Sequence, residues 1–186
     1  MIRETGVDSV YLFEPKSFKD ERGLFFEALR MDQFIDETGI SFHVKQVNTS
    51  VSRRGTLRGF HIKKSEQGQA KFVTVQSGEI IDIALDLRPG SPTFCKIFST
   101  RLSSSSPKGL FLGKGIAHAF VALEESTRVL YLVDSVYEPH LEKSINPLSV
   151  EFGWDDVRNQ VGLERFILSK KDAGAPSLND YLSDFN

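Results

Sequence analysis

A chain of 186 residues, 40% hydrophobic and 26% charged, is long enough for one domain with a sizeable core and too apolar to be a disordered polymer. Its formal net charge of -2 argues against a general nucleic-acid binder, which needs a basic excess for phosphate contacts. Cys95 has no second cysteine to pair with, Met1 to Thr5 lacks an apolar signal core, and no stretch stays apolar long enough to cross a membrane, so a cytoplasmic protein is expected.

Residues 8–16 read as an edge strand ending at Pro15, followed by a turn at Asp20-Glu21-Arg22-Gly23 and a short strand over 24–28. Met31 to Thr38 suits a helix stopped by Gly39. Alternation from Phe42 to Ser50 places Val44, Gln46, Asn48 and Ser50 on one face. The two amides there either offer donors and acceptors to a ligand or simply make a polar edge. Leu57 to Lys63 carries Arg58 and His61 among apolar residues, and residues 69–86 form two alternating segments around Ser77-Gly78-Glu79 that read as a hairpin. A turn at 88–92, a strand from Phe94 to Leu102, a polar loop over 103–108 and a turn at 113–115 leading into a strand follow. Arg128 to Tyr137 alternates so that Tyr131, Val133, Ser135 and Tyr137 share a face. Ser177 caps a last helix in which Leu178, Tyr181, Leu182 and Phe185 recur at helical spacing. Short strands at close spacing predict an all-β antiparallel sandwich or barrel in one domain over 1–186.

A cation on a half-buried strand is costly unless something pairs with it, so Arg58 and Lys71 are expected to face a polar cavity suited to an anion, with a titratable histidine inside. Strict alternation puts Arg58 and His61 on opposite faces; a bulge at Gly59 would bring both inward. None of the histidines, His43, His61, His118 and His140, lies within two residues of another, so no His-x-His metal pair exists and no metal is expected. Cys95 and the serines lack a nucleophile's setting. General acid–base chemistry fits better. A neutral histidine backed by a carboxylate is a competent base, tyrosine a plausible opposing acid, and lysine or arginine can stabilise an oxyanion, which suits proton abstraction beside a carbonyl.

Several blocks then stand in order: Asp20-x-Arg22-Gly23-x-Phe25-x-Glu27, Gln46-x-Asn48, Leu57-Arg58-Gly59-x-His61, Gln69-Ala70-Lys71, Gly90-Ser91-Pro92-Thr93-Phe94, Gly115-x-Ala117-His118-x-Phe120, Tyr131, Tyr137-x-Pro139 and Leu168-Ser169-x-Lys171-Asp172. Each is weak alone, but together they resemble the dTDP-4-dehydrorhamnose 3,5-epimerase family over most of the chain. The resemblance implies a cupin-type jelly roll with short peripheral helices, no metal and no cofactor. It also implies a homodimer in which an N-terminal segment of one subunit completes the other's site. It implies inversion at C3 and C5 of dTDP-4-dehydro-6-deoxy-D-glucose to give dTDP-4-dehydro-L-rhamnose, the 4-keto group acidifying both neighbouring C–H bonds. The roles it implies are His61 as base with Asp172 orienting it, Lys71 at the enolate oxygen and Tyr131 as the opposing acid. Arg22, Glu27, Gln46, Asn48, Arg58, His118, Glu142 and Lys171 are implied to bind the nucleotide sugar, with Tyr137 stacked on thymine.

Two departures bear on substrate. Leu132 stands where relatives often carry a basic residue and Val136 where they carry an aromatic, and the stretch around Ile145 to Leu148 is short of the usual tryptophan segment. These features are similar to relatives acting on other 4-keto deoxysugars, some of which invert one carbon. The alternatives are therefore a monoepimerase, a non-catalytic nucleotide-sugar-binding cupin and a metal-dependent cupin oxygenase.

Overall fold

The computed structural model describes residues 1–64 and 68–183. In chain order its elements are β1 (Ile2–Glu4), β2 (Val10–Phe13), β3 (Ser17–Asp20), β4 (Gly23–Phe26), α1 (Met31–Thr38), β5 (Gln46–Ser52), β6 (Leu57–Lys63), β7 (Lys71–Ser77), β8 (Glu79–Asp86) and β9 (Ile97–Ser103). There follow β10 (Gly109–Leu112), β11 (Ile116–Ala122), β12 (Thr127–Val133), β13 (Glu142–Ser144), α2 (Trp154–Val161), α3 (Lys170–Ala173) and α4 (Leu178–Ser183). Two antiparallel sheets form the body, ordered β1-β2-β10-β7-β12-β5 and β13-β6-β11-β8-β9, with β3 and β4 as a separate two-stranded ribbon. This is the all-β jelly roll with small helices that was expected.

Parity along the strands explains the layers. Val73, Val75, Leu110, Leu112 and Val129 of the six-stranded sheet pack against Ile80, Ala84, Leu102, Ile116 and Phe120 of the other, filling the space between them. The opposite face of the five-stranded sheet (Leu57, Ile62, Ile81, Ile83, Leu85, Ala119) is covered by α2, α4 and the segments flanking them. The outer face of the six-stranded sheet meets α1 through Phe13, Phe34, Phe42, Phe72 and Phe111, which accounts for much of the phenylalanine excess. α1 has the expected bounds and stops at Gly39 in the left-handed region, φ 68.

Four readings need correction. Residues 69–86 are not a hairpin: β7 pairs with β10 and β12, whereas β8 pairs with β11 and β9 in the other sheet. The chain turns a corner between sheets at Gly78, whose φ of 80 and proximity to Thr127 leave no room for a Cβ. Both segments are buried on two faces, and period two alone does not say which partner a strand takes. β2 is no edge strand, because β1 covers it. The alternation read from Arg128 to Tyr137 belongs to a strand only as far as Val133, and Val44 precedes β5. The capping of the last helix by Ser177 is observed, with its hydroxyl accepting from the Asp180 N–H at 3.1 Å; Phe185 lies outside the described residues.

Candidate active site

Arg58 and His61 both reach the space between the sheets, and β6 shows how. Leu57, Phe60 and Ile62 all join the outer core, a spacing of three and then two, and the pairing with β11 shifts register between Phe120↔Arg58 and His118↔His61. A bulge at Gly59 resets the parity, as the site required. Only glycine fits there: φ is 116, and an added Cβ would lie 2.4 Å from the His118 carbonyl.

His61 is held from behind. The chain at Ile167 runs beside β6 through hydrogen bonds with Gly55 and Leu57, and Ser169 then caps α3 by accepting the Asp172 N–H at 3.0 Å. Asp172 thereby meets His61, with Oδ1 2.7 Å from Nε2. Burial alone would raise its carboxyl, but hydrogen bonds from His61, Ser169 and the Gly59 backbone hold it below the usual carboxylate range. An ionised carboxylate only accepts, so Nε2 of His61 carries a proton, and in the neutral imidazole the basic nitrogen is Nδ1.

The cavity in front has a volume of about 280 Å³. Its walls come from opposite sheets: Arg58, His61 and His118 from the five-stranded sheet, and Gln46, Asn48, Lys71 and Tyr131 from the six-stranded sheet, with Tyr137, Glu142 and Lys171 around them. Lys71 is buried, and desolvation pulls its ammonium below the ordinary range, with Glu142, Asp82 and Asp134 pulling it partly back. Burial pushes the Tyr131 phenol far above its ordinary range; its hydroxyl lies 3.0 Å from Ser50 Oγ. The His61–Asp172 pair and a protonated phenol thus face one cavity from opposite sheets, with the buried Lys71 amine on its wall. Such a site can take a proton from one side of a substrate and return one from the other while an oxyanion is stabilised.

Tyr137 reaches this cavity although it is not on the strand with Tyr131. Its loop is tied down. The Lys63 ammonium, itself buried, donates to Ser135 Oγ, the Val136 carbonyl and Glu138 Oε2 at 3.2, 3.0 and 2.6 Å, and the Tyr137 N–H donates to Gln46 Oε1 at 2.9 Å. Arg22 and Glu27 do not reach the cavity of their own chain. Both sit in or next to the exposed β3–β4 ribbon, where Arg22 pairs with Asp20 at 2.6 Å. Leu132 packs with the phenylalanine cluster on the outer face, so this departure falls outside the cavity. His61 and His118 are direct register partners, but among the described residues no group of three His, Cys, Asp or Glu side chains could hold a metal ion. Sequence reading missed Asp82, which meets His118 Nε2 at 2.5 Å. Its signal was a single acid in the apolar run Ile80-Ile81-Asp82-Ile83.

Comparison with known proteins converges. Residues 4–180 match the family model described as dTDP-4-dehydrorhamnose 3,5-epimerase. A protein of that name from Mycolicibacterium smegmatis is 36% identical over 95% of this chain and 85% of its own length. A dTDP-4-dehydrorhamnose 3-epimerase from Streptomyces niveus is 36% identical over 83% of this chain and 74% of its own. The crystal structure of the 3,5-epimerase from Elizabethkingia anophelis superposes with a TM-score of 0.88 at 34% identity, covering 97% of each chain.

Proposed function

The chain belongs to the dTDP-4-dehydrorhamnose 3,5-epimerase family, and from that premise we propose that it inverts C3 and C5 of dTDP-4-dehydro-6-deoxy-D-glucose to give dTDP-4-dehydro-β-L-rhamnose. The observation that carries the reading is the placement of the His61–Asp172 pair on one sheet and Tyr131 on the other, around a single cavity. His61 Nδ1 removes the proton beside the 4-keto group, and the electron pair moves onto the ketone oxygen as an enolate. Lys71 stabilises that oxygen. Tyr131 then delivers a proton to the opposite face of the carbon, which inverts it, and exchange with water resets both groups. Repetition at the second flanking carbon completes the double inversion.

Arg58 and Lys171 supply positive charge for the diphosphate, with Gln46, Asn48, His118 and Glu142 holding the sugar nucleotide and Tyr137 stacking on thymine. The working unit is a homodimer. The ribbon exposes Phe18, Leu24 and Phe25 (48, 44 and 66% exposed), and the open strand β5 exposes Val47 and Val51, an apolar surface that a second copy would cover. In that assembly Arg22 and Glu27 reach the partner's cavity. No helix among the described residues is long and apolar enough to cross a membrane, and we assign the enzyme to the cytoplasm.

The similarity to a 3-epimerase supports a second reading, in which one carbon is inverted. Proton exchange followed by NMR in deuterated water distinguishes the two. Deuterium at C3 and C5, with product accepted by a 4-keto reductase, is the expected result. Label at one carbon would make it a monoepimerase, and no label at either would overturn the epimerase reading.

A further inference from the structure

Asp82 lies on β8 with none of its surface exposed; Oδ1 meets His118 Nε2 at 2.5 Å, whereas Oδ2 has no partner among the described residues. A buried carboxylate left half satisfied is expensive to keep. Other buried acids here are better supplied. Asp86, four residues on, accepts from Arg88, Ser91 and Thr93, and the Asp172 carboxyl draws on His61, Ser169 and the Gly59 backbone. A residue serving packing alone at position 82 would be apolar, as Ile80 and Ala84 on the same face are. What surrounds Asp82 is the site. Its charge acts on Lys71 and Tyr131, and its single bond fixes His118, whose ring centroid lies 6.1 Å from that of Tyr131. With Nε2 engaged, Nδ1 is the remaining polar atom of His118. His118 itself lines the cavity.

We propose that Asp82 is a positioning residue for the epimerisation: its buried carboxylate holds His118 with Nδ1 turned to the sugar and supplies negative charge to the wall on which Lys71 meets the enolate oxygen. The inference rests on the epimerase reading and deepens it. Burial works against the charged form of Lys71; the carboxylates of Glu142, Asp82 and Asp134 favour that form, and the cations sharing the cavity, Arg58, Lys143 and Lys171, oppose it, as do His61 and His118 whenever they are protonated. Removing the Asp82 charge therefore lowers the pH at which Lys71 gives up its proton.

Asp82→Asn keeps the shape and removes the charge. Epimerisation measured against pH is expected to show kcat reduced about tenfold or more, KM changed much less, and the basic limb of the kcat profile moved to lower pH. Asp82→Glu, which keeps the charge, should return that limb toward its original place. A merely structural role would lower kcat at every pH without moving the limb, and that result, or an unchanged profile, overturns the proposal. Should Asp82→Asn not fold, the ¹⁵N shifts of the His118 ring in the wild-type protein decide: protonation at Nε2 is expected, and protonation at Nδ1 overturns it. Absence of deuterium exchange in the wild type would defeat the epimerase reading, and this inference with it. Normal exchange with an unaltered Asp82→Asn profile would defeat this inference alone.

Discussion

A strand histidine becomes a base when something holds the proton on its far nitrogen, and in the mechanism we propose Asp172, buried and kept ionised by its hydrogen bonds, does this for His61. Tyr131, the opposing acid in that proposal, is built the other way. Tyr131 is kept as a phenol by burial, so it can give a proton and is poorly suited to take one. Separating the two roles predicts separable losses. His61→Asn should lower both solvent exchange and inversion by about 10³-fold while nucleotide binding persists. Tyr131→Phe should leave deuterium exchange measurable while inversion falls by about 10²-fold, because abstraction survives and delivery to the far side does not. Parallel measurement of exchange and product in both variants checks this. Equal loss of exchange in Tyr131→Phe would remove it as the opposing acid alone.

At the scale of the element, the site depends on a local irregularity in an otherwise regular strand. β6 must turn Leu57, Phe60 and Ile62 outward to the core under α2 and α4, and Arg58 and His61 inward, which strict period two forbids. The bulge at Gly59 resolves the conflict, in a backbone conformation and at a contact distance that only glycine tolerates. Gly59→Ala should therefore destabilise the protein by about 2–3 kcal/mol and lower kcat more than it raises KM, since it displaces His61 from Asp172. Thermal unfolding with steady-state kinetics tests both. A variant as stable and active as wild type would show that the bulge is dispensable. The conflict between the apolar pattern and the polar positions was legible in the sequence, because an inward arginine and an inward histidine three residues apart cannot share a strand face without an extra residue between them.

For the whole molecule, the exposed ribbon carries two proposed binding residues away from the cavity of their own chain. Arg22 and Glu27 belong to it and lie outside their own cavity, while apolar side chains on the ribbon and along β5 remain uncovered. If the ribbon completes a partner's site, two crippled chains can repair one another. A His61→Asn chain mixed with an Arg22→Ala/Glu27→Ala chain, unfolded and refolded together, forms hybrid dimers with one intact site each. Random pairing makes half the dimers hybrid, so activity should return to about a quarter of the wild-type value. Mixtures no more active than the separate variants would place the ribbon elsewhere.

Local order along the chain determined a good deal. The short alternating segments dictate an all-β fold, α1 ends at its glycine, and cations among apolar residues announce a cavity, because each of these follows from period, cap or desolvation cost within a few residues. Tertiary structure alone decided which strands pair. β7 and β8 look like a hairpin yet lie in different sheets, since a strand buried on both faces has nothing in its own pattern to name its neighbour. The same limit hid Asp82 and put Tyr137 in the cavity by a loop instead of by strand parity, for contacts between residues 36 or 91 positions apart are set by how the sheets close. Sequence determines which side chains must be inside; closure of the two sheets determines which of them meet.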